Sequence, residues 1–375
     1  MNPFKYSDDE NINETQLTIA LPSAIIGVAI LSLPREVAIV TLHSDGWISI
    51  LLAGILSTFI AVLGAKVAAQ YQDKSFYDYT SFLVTKPIAI VIVAINIIIA
   101  IYLCAYATRN IAYISQQYLF EQTPMEVLAL TFLLVVVYAV SGSRAGIFRL
   151  NLLFLPIILI AFLFVGIFNF TWIESSNYLP LFKTSFRDYL IGVTKSFEAY
   201  LGFQIVLFYV LIVHNPKKLT KTVVTGMSIP VIFYLFIYMM TIGIFGNEVT
   251  ANLEFPTVEL AKRVDIPGGI LERIDPIVFS IWIMAIFNTT AIMFDVAIFL
   301  FSSIYTKTNK RLLTFIFAPI IYYVAMFPQQ IDDVKAITEV MSQFIAYFSI
   351  VLIFGLYIIA KMRGGQKNDK NNRTN

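Results

Sequence analysis

The residues that could do chemistry in this chain are few, and most are set inside apolar runs. The first group is a stretch of backbone rather than a side chain: Gly27-Val28-Ala29-Ile30-Leu31, within the hydrophobic segment Leu17 to Val40. Pro22 and Pro34 sit near the ends of that segment, and Gly27 and Ala29 leave its middle thin. A membrane helix broken there exposes backbone N–H and C=O groups, tolerated at membrane depth only where they face a cavity or a ligand. The second half of a broken helix also presents a positive N-terminus, a natural seat for a carboxylate. The plain alternative is a proline-kinked helix that holds nothing.

A second stretch has the same character. Ser196-Phe197-Glu198-Ala199-Tyr200-Leu201-Gly202-Phe203-Gln204 places a glycine, ionisable and polar residues, and aromatics in the middle of an apolar run. Glu198 can receive an ammonium group, pair with Lys195 at i−3, or titrate. Tyr102, Tyr106, Arg109 and Tyr113 recur at i, i+4, i+7 and i+11, one helical face. That face reads either as core tyrosines with hydrogen bonds or as the lining of a cavity. Charged residues such as Arg35 and Arg109 cost at least about 2.5–3.5 kcal/mol at a membrane-helix centre. Arg35 can snorkel or join Glu36. Asn288, Thr289 and Thr290, with Asp295 further on, suit interhelical hydrogen bonds worth roughly 0.6 kcal/mol each. His43 and His214 lie at span ends and are assigned no role. These groups form no nucleophile–base pair, and the sequence has no Walker-type phosphate loop, zinc-ligand spacing or HExxH. The chemistry they support is binding. An enzyme, a cofactor, a bound metal and a nucleic-acid partner are not expected.

The elements that position these residues are membrane helices. Of 375 residues, 58% are hydrophobic and 13% charged, about half the charged fraction of a soluble domain. Ten spans can be read, roughly 15–41, 46–70, 86–119, 124–141, 147–169, 186–213, 219–245, 273–304, 311–327 and 336–361. The expected fold is all-α and polytopic. Residues 1–14 form an N-terminal tail, 15–361 one transmembrane domain, and 362–375 a polar disordered tail. Lysine and arginine gather on one side of this layout, so an even span count puts both termini inside. The weakest separation is Ser141 to Gly146, between spans four and five. The outer connection Gly246 to Glu272 is expected to hold a short surface helix near Thr257 to Val264. The single cysteine, Cys104, has no disulfide partner, and no cleavable signal peptide is visible. The two interrupted stretches fall in spans one and six. Transporters built from inverted repeats place broken helices at such matching positions.

Several motifs then carry a family resemblance. Gly27 to Arg35 resembles the small-x-small, Leu-Pro-Arg stretch of the endospore germination permeases, the B subunits of Ger-type nutrient germinant receptors. These are a branch of the amino acid–polyamine–organocation transporter superfamily. Asp45-Gly46-Trp47, Thr108-Arg109, Gly202-Phe203-Gln204, Phe255 to Leu260, Ile266 to Asp275, Met326-Phe327-Pro328 and Ile331 to Val334 are similar, in the same order. The resemblance implies a LeuT-like fold with five-plus-five inverted repeats, roughly 15–169 and 186–361, and broken helices 1 and 6. It also implies the inner membrane of a dormant spore, with an A subunit and a lipoprotein C subunit as partners. Hydroxyls of span eight at a cation site are suggested by the resemblance alone. Many relatives carry glutamate at Gln204 and some at Ala107, so a mechanism coupled through those carboxylates is in doubt here.

Taken together, a small nutrient, an amino acid first, is expected between the two breaks. Its carboxylate would meet N–H groups at Ala29 to Leu31, and its ammonium the carbonyls of Phe197 to Ala199, with Tyr106 and Gln204 fixing the side chain. The further candidate contacts are Gly27, Val28, Tyr102, Arg109, Gly202 and Phe203. A solute transporter of the same fold is the rival reading. A scaffold or channel-like subunit is the third.

Overall fold

The computed structural model describes residues 12–213, 218–264, 275–328 and 330–372. His214 and most of the motif from Ile266 to Asp275 lie outside them. The described chain is helical throughout, apart from turns and one isolated bridge. In that bridge the Ile12 amide donates to Ile212 O at 2.9 Å.

The chain enters through α1 (Glu14–Ile25), whose start is closed by a reciprocal cap. Asn13 accepts from the Gln16 amide at 2.7 Å, and Gln16 accepts from the Asn13 amide at 2.9 Å. After a bend of 54° comes α2 (Ala29–Ala38). Then follow α3 (Gly46–Gln70), the short α4 (Phe76–Leu83), α5 (Lys86–Tyr118), α6 (Met125–Ser141) and α7 (Arg144–Asn169). The thin boundary between α6 and α7 is made by Ser143, whose hydroxyl accepts from the Gly146 amide at 3.2 Å and starts the next helix. The second half holds α8 (Phe186–Ala199), α9 (Ile205–Tyr209), α10 (Leu219–Asn252, kinked at Gly246) and α11 (Pro256–Lys262). It closes with α12 (Asp275–Ile304), α13 (Lys310–Met326) and α14 (Ile331–Asn372).

Six of these helices are long and apolar enough to cross a bilayer, seven if the bent pair α1–α2 counts as one span. α1 packs against α7, α10 and α12; α12 also packs against α5, and α3 against α8 and α10. α6, α13 and α14 lie at the edge and turn large apolar side chains outward, among them Leu134, Phe315, Tyr347 and Val351. Exposed apolar surface on that scale belongs in hydrocarbon rather than water. The chain is a multi-pass membrane protein.

Two connections differ from a simple surface loop. The helix expected at the surface near Thr257 is α11, and it is wedged inward: Pro256, Thr257, Val258, Leu260 and Ala261 are buried. Its apolar residues have no lipid to face, so they pack on the bundle. The second is the link between α7 and α8, which Asp45 holds from the turn before α3. Its carboxylate accepts the amides of Phe182, Lys183 and Thr184 at 2.7, 2.7 and 2.8 Å. Burial acts to raise the Asp45 carboxyl, but the Thr184 and Phe182 amide bonds outweigh it and hold the group below its usual range. The clamp is therefore complete above the ordinary carboxylate value near 3.9 and fades as pH falls through the lower folded value. Asp45→Asn keeps one acceptor oxygen for three amides, and lost bonds of this kind cost about 1–3 kcal/mol. Amide exchange at Phe182 to Thr184 is expected to quicken at least about fivefold at neutral pH. Unchanged protection would mean that Asp45 does not hold the loop.

Candidate functional site

The bend between α1 and α2 falls at Ile26, Gly27 and Val28. The Ile26 amide still reaches Pro22 O at 2.7 Å, but the Gly27 amide turns to Ile25 O at 2.9 Å and the ladder ends. α2 begins with no side-chain cap. The carbonyls around the bend are answered by side chains from distant elements. Ser23 O accepts from the Thr289 hydroxyl at 2.8 Å, and Ile25 O from the Tyr234 hydroxyl at 3.0 Å. Gly27 O accepts from Trp282 Nε1 at 3.2 Å, and Ile30 O from the Thr257 hydroxyl at 2.7 Å. Gly27 is packed closely: an added Cβ would stand 2.6 Å from Thr289 Oγ1.

The second interruption runs from Tyr200 to Gln204, between α8 and α9. Gly202 adopts φ +123°, a conformation L side chains rarely take, and its amide donates to Gln204 Oε1 at 3.0 Å. An added Cβ there would stand 2.9 Å from Ala24 O. Phe197 and Phe203 meet edge to face across the turn, 6.0 Å between centroids. The two interruptions touch, and one side chain joins them. The Tyr234 hydroxyl lies 3.0 Å from Ile25 O and 3.2 Å from Ala199 O, sharing its proton between both breaks.

The tyrosine face of α5 divides. Tyr102, Tyr106 and Arg109 line a cavity of about 200 Å³ between α5, the end of α13 and the first turns of α14. Tyr113 leaves it and donates to Glu254 Oε1 at 3.1 Å. Arg109 Nη1 donates to Ala325 O at 3.0 Å. Lys195 pairs with Glu339 at 3.4 Å rather than with Glu198. Glu198 accepts from the Ser342 hydroxyl at 2.7 Å through one oxygen, and its other oxygen is buried without a partner. Arg35 meets Glu36 at 3.4 Å. Thr290 bonds within its own helix to Ile286 O at 2.7 Å, whereas both amide atoms of Asn288 are buried and unpartnered. Among the described residues no three His, Cys, Asp or Glu side chains converge as a metal site.

Four buried polar side chains have no sequence signal that names their partners: Tyr234, Trp282, Thr257 and Asp295. The first three carry donors that must be answered once buried, but their partners are backbone groups more than two hundred residues away. Asp295, fully buried, binds Arg144 Nε at 2.6 Å, Lys310 Nζ at 3.2 Å and the Tyr209 hydroxyl at 2.9 Å.

A family model described as spore germination protein matches residues 11–334. Spore germination protein GerLB of Bacillus cereus is 39% identical, over 98% of this chain and 99% of its own. Spore germination protein YndE of Bacillus subtilis is 29% identical, over 96% and 98%. Among solved structures, MhsT in complex with L-phenylalanine aligns with a TM-score of 0.67 at 14% identity, covering 90% of this chain and 87% of that one. At that identity the likeness speaks for the fold, and it agrees with the LeuT-like expectation. Family and fold together make this a non-enzymatic receptor or transporter protein. The chain belongs to the spore germination protein family, the germination permeases that its motifs resemble.

Proposed function

We propose that the chain is the membrane subunit of a spore nutrient germinant receptor and binds a small nutrient, an amino acid first, at the bilayer midplane. The observation that carries this reading is the joint between the two helix interruptions, closed by Tyr234 and by Gly202 against Ala24. A ligand that favours a different spacing of the two breaks shifts the whole bundle, and partners that touch the bundle feel the shift. The contacts proposed are Gly27 to Leu31, Phe197 to Ala199 and Gly202 to Gln204, with Tyr102, Tyr106 and Arg109 beside them. Asn288, Thr289 and Thr290 form the polar network next to the first break. The fold shared with MhsT, which is solved with L-phenylalanine, supports an amino acid.

The same reading takes ten passages through the bilayer. α6 and α13, at 17 residues each, reach about 26 Å, close to the roughly 30 Å hydrocarbon core. The α1–α2 and α8–α9 pairs supply the broken first and sixth passages of two repeats, 15–169 and 186–361, with tails 1–14 and 362–375 inside. The membrane is the spore inner membrane, and the partners are A and C subunits of the receptor. A solute transporter of the same fold is the second reading, favoured by the same likeness to MhsT.

The test is germination of spores lacking this gene and its neighbours, complemented with wild type or Gly202→Trp and offered single nutrients. One nutrient response is expected to vanish on deletion and to return with wild type only, at equal protein levels. Intact germination together with reduced vegetative uptake of a solute would give the transporter reading instead.

A further inference from the structure

The cavity beside Arg109 has a chemical bias of its own. Its polar groups are the Arg109 guanidinium, the Tyr102 and Tyr106 phenols and the Thr338 hydroxyl, and among the described residues no aspartate or glutamate lines it. Arg109 spends Nη1 on a backbone carbonyl, Ala325 O. Among the described residues it forms no ion pair, and Glu126 on α6 acts on it only from outside the cavity. A guanidinium that meets no acid among the described residues of its own slot favours an anion there, and its planar fork matches a carboxylate. The Tyr102 hydroxyl is buried with no hydrogen-bond partner, although Thr338 lies beside it. It can serve the same anion or a polar end group. The rest of the wall is apolar: the Tyr102 and Tyr106 rings stack at 6.2 Å and 20°, and Ala105, Val334 and Ile337 complete it. The volume, about 200 Å³, corresponds to on the order of ten waters. A small organic acid with an apolar or aromatic body fills that space.

We infer that this cavity is a binding site for a monocarboxylate with an apolar body, held by Arg109 and stacked on Tyr102 and Tyr106. The site takes Tyr102, Tyr106 and Arg109 from the contacts proposed above, and no residue of either helix break lines it. The inference deepens the nutrient-receptor reading and rests on it only for physiology, since binding is measurable on the purified chain whether or not germination follows.

The test uses the full chain in nanodiscs of zwitterionic phosphatidylcholine, with 3-phenylpropionate as the carboxylate probe and phenethylamine as the cationic control. Binding of 3-phenylpropionate is expected, with none of phenethylamine. Arg109→Gln, which keeps an amide donor for Ala325 O, is expected to weaken 3-phenylpropionate binding about tenfold or more. Ile337→Trp, at a partly exposed wall position, narrows the cavity without touching the charge and is expected to weaken binding at a melting temperature near that of wild type. Binding is read on the purified chain and the nutrient response on spores, so the two readings fail separately. No binding of 3-phenylpropionate, equal binding by Arg109→Gln, or equal binding of phenethylamine overturns the proposal. Displacement of the probe when phosphatidylglycerol replaces part of the lipid overturns it too, because the occupant is then a lipid headgroup.

Discussion

Asp295→Asn is expected to lower the apparent melting temperature of the detergent-solubilised protein by about 10 °C. The effect follows from the charges at the site. Asp295 is 1% exposed and faces two cations, Arg144 at 2.6 Å and Lys310 at 3.2 Å, with the Tyr209 hydroxyl at 2.9 Å. Arg144 is itself buried and lies over the Phe299 ring at 4.5 Å. Removing the anion takes this charge from both cations, and breaking a buried pair in this way costs about 3–5 kcal/mol. At roughly 2–4 °C per kcal/mol for chains of 150–250 residues, the shift is large. Lys310→Met gives the contrast. Lys310 is partly exposed and also caps the end of α6 through Gly142 O at 2.9 Å. Its loss leaves a balanced Arg144–Asp295 pair, so the expected cost is near 1 kcal/mol. Asp295→Asn with Lys310→Met is expected to recover part of the single-variant loss, because one stranded cation is gone. If Asp295→Asn melts within a degree or two of wild type, the cluster does not hold α7, α9, α12 and α13 together there.

That cluster marks where sequence reasoning stops. The spans are legible because an apolar run of some twenty residues is a local property, and so is the Asn13–Gln16 cap that starts α1. The interruption at Gly27 is legible for the same reason, since proline and glycine act on the backbone where they stand. What answers a buried polar group is not local. Glu198 has Lys195 one turn behind it, yet in the fold each turns to a residue on α14, 144 positions on: Lys195 to Glu339 and Glu198 to Ser342. Helix register brings i−3 neighbours close, but a long flexible lysine goes to whichever acid lets its head reach water. The α5 tyrosine face shows the same limit. Periodicity puts Tyr102, Tyr106, Arg109 and Tyr113 in line, but only the crossing of α13 and α14 decides which of them meet a cavity. Asp295 is unreadable in advance, because one of its cations lies 151 residues back at the start of α7.

Gly202→Ala is expected to be the most damaging single-methyl change in the molecule, and Tyr234→Phe the sharpest probe of the same joint. At Gly202 two costs coincide. Its φ of +123° lies where an L side chain is strained, by about 1–3 kcal/mol, and the new Cβ would stand 2.9 Å from Ala24 O. That neighbour is backbone, fixed by α1 on one side and by the Thr289 and Tyr234 bonds at Ser23 and Ile25 on the other, so it cannot swing aside. The breaks must move apart or the 200–204 turn must rebuild. Tyr234→Phe removes only an oxygen and changes no volume. It leaves Ile25 O and Ala199 O, both buried at the joint, without the hydroxyl they share, at about 1–3 kcal/mol. The pair separates two explanations of any lost nutrient response. If the joint merely stabilises the fold, both variants lower the melting temperature and sensitivity falls in proportion to the protein that survives. If the joint sets the equilibrium between two bundle arrangements, Tyr234→Phe shifts the nutrient concentration for half-maximal germination at equal receptor level, by a factor of about 5 to 150 for a change of 1–3 kcal/mol. The direction reports which arrangement the Tyr234 bond favours. A shift to lower concentration means the bond holds the resting state closed, and a shift to higher concentration means it belongs to the liganded one. An unchanged dose response at normal receptor level would remove the joint from the sensing mechanism.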